Sequence, residues 1–124
     1  GIAESGMLRA MSVAGNFGVI AILEKSIPRH MRYIRILGFE SRLAGERALG
    51  LGVVELSDEK RAYSRLVETG AELRDRDGAQ VVVLGCAGMA RYRVALEQEL
   101  EIPVIDPTQA AVSNALTNVL LKSP

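Results

Sequence analysis

The chain has 124 residues, of which 48% are hydrophobic and 24% charged, which is the size and composition of one folded domain. Fifteen basic residues balance 15 acidic ones, and no apolar run approaches the roughly 18 residues that span a bilayer, so we expect neither a nucleic-acid nor a membrane partner. One cysteine and one histidine exclude an internal disulfide and argue against a protein-only metal site; we expect no metal, no cofactor and a cytoplasmic location.

The first segment, IAESGMLRAMSVA (2–14), is predicted to be a helix with Met7, Leu8 and Met11 on one side. No strand precedes it, although a βα unit normally begins with its strand. We therefore expect residues 1–124 to form one lobe of a longer polypeptide whose amino-terminal part lies upstream.

Next, FGVIAI (17–22) is predicted to be a buried strand. A helix over 27–37 follows, with Pro28 in its first turn and Gly38 as the left-handed residue that closes it. Residues 42–47 are predicted to form a short strand and 48–56 a loop.

The helix over 27–37 carries His30 among three arginines, Arg29, Arg32 and Arg35. Such a cluster is typical of a solvated helix face, and this is the interpretation we favour. An anion site is the alternative.

The second half of the chain continues the alternation of helices and strands. Ser57 is predicted to cap a helix that ends at the turn Asp77-Gly78. The remaining predicted elements are a strand over 79–84, a helix from about 88 to 100, a strand over 102–105 and a helix over 107–121 with Asp106 as its cap. Strands that are apolar throughout and separated by helices predict a three-layer α/β lobe, with a parallel sheet of about four strands between two helical layers.

The stretch VVVLGCAGM (81–89) places the single cysteine, Cys86, where a strand turns into a helix. In open α/β sheets ligands bind at this carboxyl edge of the strands. Unpaired N–H groups and the positive end of the helix dipole favour the thiolate there, and Gly85 and Gly88 permit close approach of a ligand. Free cysteines also often serve as small buried hydrophobes, so the residues alone leave packing and chemistry both open.

The order GCAGM, helix, IPVID and alanine-rich helix resembles the second lobe of the aspartate/glutamate/hydantoin racemase superfamily. GIAES (1–5) is similar to the crossover between its lobes, and residues 17–56 resemble the hydantoin and allantoin racemase branch. The resemblance implies cofactor-free proton transfer beside a carbonyl by two cysteines, one from each lobe. Cys86 matches the second-lobe cysteine, and its partner would lie upstream of Gly1 in the first lobe.

The resemblance also implies which residues meet a small-molecule substrate. In the hydantoin branch a pair of threonines commonly stands where this chain has Ala21 and Ile22, and glutamate racemases carry threonine and histidine where it has Ala87 and Gly88. A hydantoin- or allantoin-like ring is therefore the expected substrate. The expected substrate-binding residues are Gly85, Ala87, Gly88, Ala21, Ile22 and Glu4, although for Glu4 helix capping is the favoured alternative.

Three functions stay open at this stage. The first is a racemase lobe, and the second is a lyase resembling arylmalonate decarboxylases, which keep a single second-lobe cysteine. The third is a non-catalytic lobe. We also expect a homo-oligomer, because the stripe Val112, Leu116, Val119 and Leu120 would lie exposed at the lobe junction unless the last helix closes its own sheet.

Overall fold

A computed structural model describes residues 2–122. The helices are α1 (Ile2–Val13), α2 (Ile27–Leu37), α3 (Val53–Leu56), α4 (Glu59–Asp75), α5 (Arg93–Leu100) and α6 (Pro107–Lys122). The strands are β1 (Phe17–Ala21), β2 (Leu43–Ala48), β3 (Val82–Leu84) and β4 (Val104–Ile105), and 3₁₀ turns occupy Glu24–Ser26, Glu40–Arg42 and Ala87–Tyr92. Within the described residues, none of the helices has the length and apolar character needed to cross a membrane.

The four strands form one parallel sheet in the order β2-β1-β3-β4. On one face, Met7 of α1 and Ile34 of α2 pack with Phe17. On the other, Leu66 of α4 and Leu96 of α5 pack in a second apolar core. Helices thus cover both faces, and the predicted three-layer α/β lobe with a small parallel sheet is confirmed.

The strand order positions a binding site. The chain leaves β1 toward β2 on one side, then returns across the sheet so that β3 pairs with β1 on the other side. The carboxyl ends of β1 and β3 therefore lie at the point where strand order reverses, which is where open α/β sheets bind ligands.

Both end signals of α2 are confirmed, but the start of α4 differs from the prediction. Gly38 closes α2 with φ of 81°, a left-handed conformation. Asp58, and not Ser57, caps α4, because its carboxylate accepts a hydrogen bond from the Arg61 N–H at 3.2 Å. The Ser57 hydroxyl instead donates to the Val54 carbonyl at 2.5 Å, at the end of the short helix α3. The predicted loop over 48–56 was thus wrong for α3, because the two glycines just before it, Gly50 and Gly52, indicated a loop and the helix is a single turn.

The helix predicted from residue 88 begins as a 3₁₀ turn, Ala87–Tyr92, and becomes α-helical only at Arg93. Side chains three residues apart line up in a 3₁₀ helix. This winding lets Met89, which is 3% exposed, and Tyr92 both reach the core, where the Tyr92 ring lies 6.0 Å from that of Tyr63.

The last helix, α6, is buried only near its start. Pro107 and Ala110 are buried against α1, whereas Leu116 and Leu120 are 60% and 74% exposed. The alternative that this helix closes the sheet of its own lobe is therefore wrong for its second half.

Candidate active site

A cleft of about 260 Å³ opens at the carboxyl ends of β1 and β3. It is bounded by α1, α2, the turn after β3 and the first residues of α6. The cleft is lined by Ile2, Ala3, Met7, Val19, His30, Tyr33, Ile34, Val83, Leu84, Gly85, Cys86, Ala87, Pro107 and Thr108. Its walls are mainly apolar, and His30, Tyr33, Cys86 and Thr108 supply the polar side-chain atoms.

Cys86 is held at the rim of this cleft by the backbone on either side of it. The Gly85 N–H donates to the Ile20 carbonyl at 2.8 Å, which joins the end of β3 to β1. A Cβ at Gly85 would overlap that oxygen, so only glycine fits. Cys86 itself is extended (φ −149°, ψ 136°), its carbonyl accepts from the Met89 N–H at 3.1 Å, and it is partly exposed.

The structure differs from the prediction at the helix whose dipole was expected to favour the Cys86 thiolate. A short 3₁₀ turn, and not an α-helix, follows the cysteine. The contribution of aligned peptide dipoles is correspondingly smaller, because α5 begins seven residues later, at Arg93. The accessibility of Cys86 in the cleft is the stronger argument for chemistry.

The other expected binding residues divide into two groups. Gly85 and Ala87 line the cleft with Cys86. Ala21 and Ile22 are not among its lining residues; their carbonyls accept from the N–H groups of Leu49 at 2.8 Å and Gly50 at 3.0 Å. Gly88 and Glu4 also lie outside the lining: a Cβ at Gly88 would be 3.8 Å from the Cys86 Sγ, and Glu4 is half-buried on α1.

His30 is the cleft residue that the sequence interpretation missed. Its Nδ1 is hydrogen-bonded to Oε2 of Glu46, and the two side chains are 28% and 1% exposed. The solvated-face interpretation is thus wrong for His30, although it holds for the exposed Arg29, Arg32 and Arg35. Glu46 pairs in register with Val19 on the face covered by α2, which explains why it meets His30.

Burial dominates the electrostatics of this pair. It raises the pKa of Glu46, while the hydrogen bond and charge of His30 oppose the rise and the nearby Glu24 adds to it. The second carboxylate oxygen, Oε1, is buried and has no hydrogen-bond partner within residues 2–122. The hydrogen bond that this buried carboxylate makes is therefore the one to His30. Within the same residues, no three His, Cys, Asp or Glu side chains are grouped so as to hold a metal ion.

The chain is similar to known proteins over nearly its whole length. Residues 1–115 match the Asp/Glu/hydantoin racemase family. The chain is 37% identical to the hydantoin racemase of Paenarthrobacter aurescens over 98% of its own length and 52% of that protein. It is 34% identical to the hydantoin racemase of Rhizobium meliloti, over 93% of this chain and 48% of that one.

Solved structures give the same result. The crystal structure of allantoin racemase from Pseudomonas fluorescens superposes with a TM-score of 0.88 at 32% identity, covering 97% of this chain and 52% of that chain. Allantoin racemase from Klebsiella pneumoniae gives a TM-score of 0.83 at 32% identity, covering 98% and 50%. The chain spans about half the length of the relatives it matches. The predicted resemblance is confirmed: the hydantoin and allantoin racemases named above support the predicted branch, and this chain belongs to the aspartate/glutamate/hydantoin racemase family.

Proposed function

We propose that this chain supplies the thiol-bearing half of a cofactor-independent racemase that acts on a hydantoin- or allantoin-like ring. The observation that carries the proposal is the position of Cys86, partly exposed in a cleft at the carboxyl ends of β1 and β3. That cleft lies in a chain similar to proteins named hydantoin racemase and allantoin racemase.

The chemistry follows from a thiolate facing a carbon beside a carbonyl. The thiolate takes the proton, so the C–H bond breaks, an S–H bond forms and the electron pair moves onto the carbonyl oxygen as an enolate. Inversion then requires a second acid to return a proton to the opposite face. By family resemblance that acid is a cysteine of the first lobe, and reaction in the reverse direction exchanges the two roles.

The walls of the cleft suit this reaction. Met7, Val19, Ile34 and Val83 present apolar surface beside the thiol. A water-poor environment strengthens the electrostatic contacts of the enolate and limits stray protonation. A volume of about 260 Å³ fits a small ring better than an extended chain.

A fusion tests the proposal. The half of the Paenarthrobacter aurescens hydantoin racemase that this chain does not match is joined to its amino end, and racemisation of one enantiomer of a 5-substituted hydantoin is followed by chiral chromatography. We expect turnover that Cys86→Ser abolishes while the circular dichroism spectrum is unchanged. Activity retained in Cys86→Ser would contradict the role of this thiol.

The same fusion addresses the other two functions. Release of carbon dioxide from an arylmalonate, without hydantoin racemisation, would identify the lyase. A folded fusion inert toward both substrates would favour the non-catalytic lobe.

A further inference from the structure

His30 and Glu46 form a hydrogen-bonded pair at one wall of the cleft that holds Cys86, with His30 among the lining residues. They come from different elements, α2 and β2, and are brought together by the fold alone. The thiol chemistry proposed above uses neither residue.

Glu46 fixes the orientation of the His30 ring. A carboxylate that is hydrogen-bonded to one imidazole nitrogen fixes the orientation of the ring and decides whether the other nitrogen donates or accepts a hydrogen bond. Because Glu46 takes Nδ1, the nitrogen left for a ligand is Nε2. When the pair holds two protons, one lies between Nδ1 and the Glu46 carboxylate, on either residue, and the other is on Nε2. The Nε2–H group is then a hydrogen-bond donor.

The rest of the cleft makes this donor significant. Ala21 and Ile22 carry no hydroxyl at the positions where related racemases commonly have threonines, and both use their backbone carbonyls within the fold. Tyr33, Thr108 and Cys86 are the other lining side chains with polar atoms. Among the lining residues, only His30 has a buried carboxylate behind it.

We propose that His30, oriented by Glu46, binds an oxygen of the substrate in the Cys86 cleft through Nε2, in place of the threonine hydroxyls. The ligand oxygen is one that carries negative charge, as in an ionised imide or a carboxylate. His30 is then the residue that selects an oxygen-rich ring over an apolar one. This inference rests on the proposed function for its substrate class.

Two alkylating reagents test it on the chain itself, because Cys86 is the sole cysteine and each rate reports one site. Iodoacetate carries a carboxylate and iodoacetamide is its neutral counterpart. We expect His30→Gln to lower the ratio of the iodoacetate rate to the iodoacetamide rate at Cys86 about fivefold, the size of one net hydrogen bond, because the oriented Nε2–H favours the anionic reagent. The control Arg32→Gln removes an exposed cation from the same helix and should leave the ratio unchanged.

A second measurement needs no variant at His30. His30 is the sole histidine, so its ring nitrogens give unique NMR signals. We expect the Nε2 chemical shift to differ between the chain carboxymethylated at Cys86 and the chain carbamidomethylated there, and Glu46→Gln to reduce that difference.

An unchanged rate ratio in a folded His30→Gln variant, or equal Nε2 shifts in the two adducts, would overturn the inference. Neither outcome touches the proposed function. That function fails separately, if the fusion racemises hydantoin without the Cys86 thiol.

Discussion

The backbone N–H of Gly85 lies 2.8 Å from the carbonyl oxygen of Ile20, so the end of β3 is fastened to β1 one residue before Cys86. The position of the thiol relative to β1 is therefore set by a main-chain contact, and side-chain packing plays a lesser part. A contact of this kind tolerates no Cβ, because a methyl group on residue 85 would overlap the carbonyl oxygen.

Gly85→Ala is accordingly expected to destabilise the fold by about 2 to 3 kcal/mol, since either the hydrogen bond or the strand spacing must give way. Urea unfolding followed by circular dichroism measures it. Gly52→Ala is the matched control, because nothing lies within 4 Å of the position its Cβ would take. Equal unfolding midpoints for the two variants would show that the strand ends can separate at little cost.

The 124-residue chain on its own is expected to show no racemisation of a hydantoin or of allantoin. Inversion needs an acid and a base on opposite faces of one carbon, and this chain has a single thiol. Chiral chromatography against a protein-free blank is the measurement. Turnover that disappears in Cys86→Ser would mean that a second acid or base lies within these residues.

The pH dependence of stability should report the buried carboxyl of Glu46. Its folded pKa is raised above 4.5, mainly by burial, so its contribution is present at low pH and is lost as the pH rises through the folded pKa. The free energy of unfolding of the wild type, relative to Glu46→Gln, is therefore expected to be greatest below pH 4.5 and to decline above it. Urea titrations at a series of pH values test this.

Two further variants sharpen that measurement. His30→Gln removes the partner that opposes the raised pKa of Glu46, so the decline with pH should become larger. Glu40→Gln removes a carboxylate that is 52% exposed and controls for the general effect of one charge. A difference between wild type and Glu46→Gln that increases with pH would reverse the assigned sign.

We propose that the exposed stripe of α6 makes this chain self-associate, as a twofold dimer. Val112, Leu116, Val119 and Leu120 are 57%, 60%, 66% and 74% exposed, and contiguous apolar surface of this kind is seldom left open in a monomer. Light scattering over a range of concentrations should give a dimer mass that Leu116→Glu lowers toward the monomer. Asn118→Glu places the same charge on α6 away from the stripe and should have less effect. A monomer mass at every concentration would refute the dimer.

Much of this architecture could be predicted from local patterns. Apolar strands, the Gly38 stop and the Asp106 cap are each signals within a few residues, and Asp106 Oδ1 indeed accepts from the Thr108 N–H at 3.1 Å. The turn that carries Cys86 was predictable for the same reason, because a strand ends in glycine immediately before it.

The His30–Glu46 pair was not predictable in this way. It depends on which side chains of β2 face α2, and a shift of one residue would present Arg47 there instead. The strand LAGERA lacks the apolar alternation that fixes such a register. In the fold, Arg47 points to the opposite side, where its Nε donates to Asp77 at 2.8 Å. The sequence did contain one indication of this pair. Glu46 is an acidic residue inside a predicted strand, which is unusual enough to suggest that it has a specific partner.

The position of the starts of α1 and α6 at the cleft has a practical consequence for attaching this protein to a surface. Ile2 and Thr108, near the starts of the two helices, both line the cleft, so an affinity tag or surface linker placed ahead of α1 would emerge at its mouth. The 16 residues of α6 lead away from the cleft, over about 24 Å at the rise of an α-helix. Immobilisation through the carboxyl-terminal side should leave the thiol open to reagents, whereas attachment through the amino-terminal side should hinder them.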